Sequence, residues 1–288
     1  MDRLLDYTGY LLRTAFLRAA TLAAREFGEE AHPRDAAVLA TLQAVGPLSQ
    51  QELSKGLNVN RTVMVKLIDG LEARGHVERV RNPSDRRAYA LHATPAGLES
   101  MAEMLPRMAR AEAELTVNLS ESEHARMNAL LRELIPTPPP ALADRTGFLL
   151  ARAHHRFHER ADEVLKPYGI QIRQFGALTR LADGTSSQRE LADRLQVSTP
   201  VVVELVDGLE AAGLVERRRD RTDRRLNALH VTGGGRDVLQ RATAVLLAAN
   251  EDMTRPIGED GDRELRSLLR KLLGLYSPPK GSDPLGGH

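Results

Sequence analysis

The sequence contains no cysteine and no tryptophan, and its aromatic side chains are limited to five tyrosines and five phenylalanines. Without cysteine, disulfides, thiolate nucleophiles, cysteine-based zinc sites and thiol redox sensing are excluded. No apolar run approaches the roughly 18 residues that a membrane-spanning helix needs, and the first residues lack the basic, apolar and small-residue order of a secretory signal. We therefore expect a cytoplasmic protein with no membrane partner.

The chain also lacks a large excess of charge of either sign, with 40 Lys and Arg against 39 Asp and Glu. The local exception is a dense basic segment at 217–225, which holds six arginines in nine residues. There is no nucleophile and base arrangement, phosphate loop or dinucleotide fingerprint. These absences predict that the protein is not an enzyme and carries no cofactor.

The main positive feature is an internal repeat. A shift of 138 residues aligns LIDGLEARGHVER at 67–79 with LVDGLEAAGLVER at 205–217. Between 46–97 and 184–235, a little over half of the aligned positions are identical. Because coincidence does not produce such identity, the sequence contains a duplication of about 138 residues.

Composition locates the boundaries of the two copies. The prolines of PTPPPA cannot continue a helix and predict a short, stiff spacer. The segment SPPKGSDPLGGH has the composition of a disordered end. The predicted division is a first unit at 1–135, a Pro-rich linker at 136–141, a second unit at 142–276 and a disordered tail at 277–288.

The same succession of helices is predicted in each copy. Apolar stripes at helical spacing predict a long first helix. Ser49 with Glu52, like Ser187 with Glu190, predicts a capping box at the start of a short helix. The next helix in the first copy, at 60–75, carries apolar residues at i, i+3, i+4 and i+7, so that one face is buried and the other is exposed.

A β-hairpin is predicted after that helix. The segments HVERV and YALHA have β-type composition and flank a loop that contains Asn, Pro, Ser and Asp. Thr94 followed by Pro95 then predicts the N-cap and first turn of another helix. Two short helices joined by a tight turn and followed by a hairpin are the outline of a winged helix-turn-helix.

Both copies resemble the MarR family of bacterial transcription regulators over nearly the whole chain. The family pattern of Asp, Arg, an aliphatic residue, Thr and Gly is met by Asp85, Arg87, Leu91, Thr94 and Gly97, and in the second copy by Asp223, Arg225, Leu229, Thr232 and Gly235. The resemblance implies a mainly α fold with small β-hairpin wings, in which two winged helix-turn-helix units form an intramolecular pseudo-dimer.

The resemblance also implies a function. MarR-like proteins are homodimers, joined by their first and last helices, that bind pseudo-palindromic double-stranded DNA and often release it when a small molecule binds. We therefore expect a ligand-responsive repressor whose two winged helices bind two half-sites of one operator, about one DNA turn apart. A monomeric pseudo-dimer is expected, with a dimer of tandem chains as the alternative. A protein that sequesters small molecules and has weakened DNA binding is the alternative function.

The predicted DNA contacts lie on the wings and on the helix before each wing, which is the recognition helix in the resembled family. Arginine suits the narrow minor groove, where the negative potential is enhanced. In the first copy the candidates are Asn60, Arg61, Thr62, Lys66, Asp85, Arg86 and Arg87. In the second copy they are Ser198, Thr199, Val203, Arg219, Arg221, Asp223, Arg224 and Arg225.

The two recognition helices differ in charge. The first presents donors for phosphates and bases, whereas in the second Val203 could contact a thymine methyl and Glu204 could accept from a cytosine amine. An acidic residue near phosphates weakens the sequence-independent attraction to DNA. Either the two half-sites differ, or the second copy binds DNA mostly through its wing.

The few aromatic residues cluster in the first part of each copy. In the resembled family the effector pocket lies near the first helix, and Arg13 and Arg152 could hold an anionic aromatic ligand there. The alternative is that the aromatics form core and the arginines lie on the surface. The candidate ligand-binding residues are Tyr10, Arg13, Phe16, Phe148, Arg152, His155 and Phe175.

A histidine pair in the second copy has the spacing of metal ligands. His154 and His158 lie one helical turn apart, with Asp162 a turn beyond. The first copy has Phe16 and Ala20 at the equivalent positions, so the pair does not belong to the shared scaffold. No metal site is predicted, and a pH-sensitive or ligand-contacting role stays open.

Overall fold

A computed structural model describes residues 7–28, 32–81, 89–184, 187–219 and 227–275. These residues form α-helices and two separate two-stranded antiparallel sheets. The predicted mainly α fold with small hairpins is therefore confirmed. Within the described ranges, no helix is both long and apolar enough to cross a membrane.

The order of elements is the same in both copies. The first copy contains α1 (Thr8–Phe27), α2 (Pro33–Val45), α3 (Gln50–Leu57), α4 (Arg61–Ala73), β1 (Val77–Arg81), β2 (Tyr89–Ala93), α5 (Pro95–Leu115) and α6 (Glu121–Glu133). The second contains α7 (Thr146–Leu165), α8 (Ile172–Ala182), α9 (Gln188–Leu195), α10 (Thr199–Ala211), β3 (Val215–Arg219), β4 (Asn227–Val231), α11 (Gly233–Thr254) and α12 (Gly258–Leu272). The strand β1 begins one residue later than predicted, at Val77 instead of His76.

The chain divides into two compact units that do not coincide with the two copies. One unit comprises residues 1–155 and 254–288, and the other comprises 156–253. The Pro-rich segment belongs to the first unit, where it forms a short 3-10 helix at Pro140–Leu142 against α2. Pro139 is buried, and Leu142 directly after the segment lies in the core of that unit, so the end of the segment is packed against the protein.

The start of each short helix is fixed by local hydrogen bonds. Ser49 and Glu52 form the predicted capping box, in which each side chain bonds to the other residue's backbone N–H. In the second copy the Ser187 hydroxyl accepts from the backbone N–H of Glu190 at 3.1 Å, while the Glu190 carboxylate pairs with Arg194. Both copies therefore begin this helix at the predicted serine.

The Thr and Gly of the predicted pattern join the wing to the end of the helix before it, α4 or α10. The Thr94 hydroxyl donates to the carbonyl of Gly75 at 2.6 Å and accepts from the N–H of Gly97 at 3.0 Å. Gly97 lies so close to the preceding chain that an added Cβ would be 2.1 Å from the carbonyl oxygen of His76. We call this arrangement the Thr-Gly junction.

The second copy repeats the junction. Thr232 donates to the carbonyl of Gly213 at 2.8 Å and accepts from the N–H of Gly235 at 2.9 Å. A Cβ on Gly235 would lie 2.1 Å from the carbonyl oxygen of Leu214. The close approach therefore explains why glycine stands at this position in both copies.

Helices from both copies pack together inside the first unit. The first helix of copy one, α1, and its last helix, α6, both contact α12, the last helix of copy two. Thr8 at the start of α1 donates to Asp262 of α12 at 2.5 Å. At the equivalent position of copy two, Thr146 is hydrogen-bonded to His124 of α6 at 2.6 Å. The first helix of each copy is thus held by the last helix of the other.

An ion pair also links α6 to α12. The Lys271 ammonium donates to both carboxylate oxygens of Glu123, at 2.6 and 2.7 Å. This bond, with those from Ser120, lowers the pKa of Glu123 from 4.5 to about 2. Because the pKa is lower in the folded state, the stabilisation is complete above pH 4.5 and is lost as the pH falls towards 2.

The Thr-Gly junction predicts that Gly97→Ala and Gly235→Ala are each destabilising, by about 2–4 kcal/mol, because the new methyl meets backbone that cannot move freely. Gly234→Ala is the control, since a Cβ there meets its nearest neighbours at 3.8 and 3.9 Å. Urea unfolding measures all three variants. Equal stabilities for Gly235→Ala and Gly234→Ala would contradict the steric explanation.

The Glu123 pair predicts a pH-dependent effect of Lys271→Met. The variant should melt at a lower temperature than the natural protein at neutral pH, and this difference should shrink between pH 4.5 and about 2, where the carboxyl is protonated. Lys166→Met removes an exposed lysine elsewhere and serves as the control. A melting difference that is the same at about pH 3 as at neutral pH would refute the prediction.

Candidate nucleic-acid interface

The helices α3 and α4 are joined by a tight turn, as are α9 and α10. Asn58 ends α3 in the left-handed conformation, with φ of 50°. Gln196 does the same after α9, with φ of 54°. Asparagine tolerates this conformation better than most residues, whereas glutamine is uncommon there. The two turns have the same geometry despite different residues, which places α4 and α10 similarly after their preceding helices.

The helix α4 has one buried face and one exposed face. Met64, Ile68 and Leu71 are fully buried in the core of the first unit. The predicted DNA contacts Arg61, Thr62 and Lys66 are all exposed on the surface of the helix. Its N-cap is Asn60, whose side-chain oxygen accepts from the N–H of Val63 at 2.8 Å. The side-chain oxygen of Asn60, a predicted DNA contact, therefore caps the start of α4.

The helix α10 is arranged in the same way. Val202, Val206 and Leu209 are fully buried. Its exposed residues include the predicted contacts Ser198, Thr199 and Val203, and also Glu204. The exposed face of α10 therefore carries an acid where α4 carries Lys66.

An arginine on the first strand of each wing forms ion pairs with the helix before it, α4 or α10, and we call this arrangement the arginine clamp. In the first copy Arg79 pairs with Glu72, and with Asp69 at 2.6 Å. In the second copy Arg217 pairs with Glu210, and with Asp207 at 2.5 Å. The Asp207 hydrogen bond is the largest cause of a raised pKa for Arg217.

The arginine clamp was not predicted, although all three of its residues are identical in the two copies. It neutralises two carboxylates on α4 and two on α10, and it fixes each wing against the helix before it.

An ion pair with one buried partner also holds the end of α4. Arg74 donates to Asp35 of α2 at 2.7 Å, and Asp35 is only 6% exposed. Burial raises the pKa of Asp35, and the charge of Arg74 opposes that rise. The second copy has Arg173 and Ala212 at the equivalent positions, so this anchor belongs to the first copy alone.

The wings are two antiparallel hairpins with the same register. Val77 pairs with Ala93 in the first wing, and Val215 pairs with Val231 in the second. Arg219 ends β3 opposite Asn227. The other predicted wing contacts lie outside the described residues, namely Asp85, Arg86, Arg87, Arg221, Asp223, Arg224 and Arg225.

The candidate ligand residues lie on three helices. On α1, Tyr10, Arg13 and Phe16 are partly buried, and Phe16 stacks on His154 of α7 with ring centroids 4.9 Å apart. The other candidates on α7 range from the buried Arg152 through the half-buried Phe148 to the exposed His155.

Phe175, on α8, lies in the core of the second unit. His158 and Asp162, which the sequence placed one turn apart, are in contact, with Nδ1 of His158 3.3 Å from a carboxylate oxygen of Asp162. Among the described residues, no three His, Asp or Glu side chains are grouped so that they could hold a metal ion. Phe16 and His154 are thus brought into contact, whereas Phe175 serves as a core residue of the other unit.

Comparison with known proteins adds an independent line of evidence. The model of the MarR family matches the chain twice, at 32–88 and at 168–226. The multiple antibiotic resistance protein MarR of Salmonella typhimurium is 31% identical over 100 residues, which are 34% of this chain and 69% of that protein. The HTH-type transcriptional regulator PrsX of Escherichia coli is 33% identical over 128 residues, which are 43% of this chain and 76% of that protein.

One similar solved structure is that of CouR from Rhodococcus jostii RHA1 bound to p-coumaroyl-CoA. It is 30% identical, with a TM-score of 0.41, and the match covers 46% of this chain and 94% of CouR. This chain spans 52% of the length of another relative, the putative transcriptional regulatory protein for the hcr operon of Thauera aromatica. Each of these relatives matches less than half of this chain, whereas the family model matches a segment in each copy.

The Asp35 and Arg74 pair predicts that Arg74→Met destabilises the protein by about 1–3 kcal/mol at neutral pH, because a buried carboxylate loses its partner. The effect is below that of a fully buried pair, since the Arg74 side chain is 44% exposed. The deficit should shrink in acid, where the raised pKa of Asp35 lets it become protonated. Urea unfolding at neutral pH and at about pH 4 measures it, with Arg61→Met on the exposed face as the control. A deficit that does not change with pH would contradict the explanation.

Proposed function

The chain belongs to the MarR family, and we propose that it is a transcriptional repressor that binds double-stranded DNA and responds to a small molecule. In this proposal the two copies of the repeat are the two halves of an intramolecular pseudo-dimer, joined through 136–141. Each half contributes one recognition helix, α4 or α10, to one half-site of a pseudo-palindromic operator. The observation that carries the proposal is the packing of helices from both copies inside one unit.

The hydrogen bonds at the helix starts support this pairing. Thr8 of the first copy binds Asp262 of the second, and Thr146 of the second binds His124 of the first. Both threonines are fully buried. Because positions 124 and 262 are equivalent in the repeat, the two bonds are the two halves of one exchanged contact. A fusion in which the copies form one pseudo-dimer accounts for this arrangement.

A charge pair supports the same conclusion. Arg126 of α6 donates to Glu264 of α12 at 2.8 and 3.0 Å. These positions are also equivalent, with a separation of 138 residues. Two identical copies would bring two arginines or two glutamates together here, and like charges repel. The copies therefore carry complementary charges where they meet, which favours pairing of copy one with copy two.

The recognition surfaces support DNA as the partner. On α4, Arg61 and Lys66 are exposed beside Thr62, and such donors contact phosphates and base edges. The arginine clamp removes the competing negative charge of Asp69 and Glu72 from this surface. A positively charged helix end results, as the phosphate backbone of DNA requires.

The effector is proposed to be a small anionic aromatic molecule that binds near α1 and α7. The region offers Tyr10 and Phe16 for stacking and Arg13 and Arg152 for a carboxylate or phosphate. Binding there would favour a spacing of the two recognition helices that no longer fits two successive major grooves. Loss of operator affinity would follow, without any thiol chemistry.

The proposal is tested with a duplex that the full-length protein recovers from a randomised pool. We expect one chain to bind one duplex, by mass measurement, with an affinity at least about 10³-fold above that for random duplex at physiological salt. The double variant Arg61→Ala with Lys66→Ala should weaken binding and reduce the salt dependence, because two phosphate or base contacts are lost. Lys166→Ala is the matched control and should bind as the natural protein does.

Affinity no better than for random duplex would overturn the operator proposal. If such a protein still bound aromatic anions tightly, it would be a small-molecule sequestering protein instead. Two chains on each duplex, with monomers that do not bind, would contradict the pseudo-dimer and favour a dimer of tandem chains.

A further inference from the structure

The exposed faces of α4 and α10 both carry a valine at one position and differ in charge at the next. Both helices are 13 residues long and begin at equivalent positions. The arginine clamp and the Thr-Gly junction hold each of them in the same way. Because the scaffold is repeated so closely, a difference between the two surfaces comes from the exposed side chains themselves.

The shared residue is a valine. Val65 on α4 and Val203 on α10 are equivalent, and each is 37% exposed. A valine on the outer face of a recognition helix can contact the C5-methyl group of thymine in the major groove. The same apolar group is therefore available to both half-sites.

The next residue differs in charge and in hydrogen-bonding capacity. Lys66 is exposed on α4, and Glu204 is exposed on α10. Lysine donates to O6 and N7 of guanine, whereas a carboxylate accepts from the N4 amine of cytosine. Within the described ranges neither side chain forms an ion pair, in contrast to the clamped carboxylates Asp207 and Glu210. Both side chains are therefore available to bases.

We infer that the operator has unequal half-sites, which share a thymine contacted by Val65 or Val203 and differ at the neighbouring base pair. That base is guanine for Lys66 and cytosine for Glu204. This inference rests on the proposed function, because it assigns the base preference of the same two helices. A fused chain can hold such a difference, whereas two identical subunits present identical helices.

A simpler role for Glu204 would be repulsion of phosphates. The two roles predict different behaviour for Glu204→Gln, which removes the charge and keeps the size. Repulsion alone would make this variant bind every duplex more tightly by the same factor. A base contact would make it lose its preference for cytosine at one position, since the glutamine amide can both donate and accept.

The experiment is a selection from randomised duplexes with the full chain, followed by affinity measurements on the recovered site and its single-base variants. The natural protein should select a site with unequal halves. Glu204→Lys should change the preferred base in one half from cytosine to guanine, with a discrimination of about 5- to 100-fold. Lys66→Glu should cause the opposite change in the other half. Glu103→Lys makes the same charge change on the exposed surface of α5 and should leave the selected sequence unaltered.

The outcomes separate this inference from the proposed function. No sequence selection by the natural protein would mean that the operator proposal itself fails. Selection of one specific site that Glu204→Lys recovers unchanged would leave the operator function standing and overturn the inference. A uniform gain in affinity for all duplexes by Glu204→Gln would overturn it as well, because Glu204 would then act only on phosphates.

Discussion

The helix and wing of each copy that we propose to face DNA depend on the close approach between the end of α4 or α10 and the start of the helix that follows the wing. Thr94 and Thr232 each donate to a carbonyl at that helix end and accept from an N–H three residues on. Only glycine allows the backbone to come this near, as at Gly97 and Gly235. The wing strands lie between these two points, so their position relative to the recognition helix is fixed by one junction.

The clamp formed by Arg79 and Arg217 complements the junction with charge. Each arginine binds two carboxylates on α4 or α10 and so offsets negative charge that would weaken the attraction to a phosphate backbone. Its residues are unchanged between the copies, whereas neighbouring exposed residues such as Lys66 and Glu204 have diverged. The clamp that fixes the wing is thus kept, whereas positions 66 and 204, which could contact bases, carry opposite charges.

The sequence allowed good prediction of features that depend on neighbouring residues. The caps at Ser49 and Thr94 join residues only three apart, so their spacing is visible in the chain. Contacts across the fold were not predicted, because exposed charges on helices have many possible partners. Asp35 and Arg74 are separated by 39 residues, and Arg126 and Glu264 by 138. The second separation equals the repeat length. Opposite charges at equivalent positions of the two copies were therefore the signal from which this contact could have been predicted.

This signal has a physical reason that follows from symmetry. In a dimer of identical subunits, a residue near the two-fold axis can meet its own copy, and a charge there is repelled. In the fused chain Arg126 meets Glu264 instead, and His124 stands where the other copy has Asp262. Substitutions that a symmetric dimer would have to make twice can occur once in a tandem chain. In the proposed pseudo-dimer, divergence at the contacts between the copies and divergence on α4 and α10 have one explanation, because duplication within one chain removes the requirement that both halves be identical.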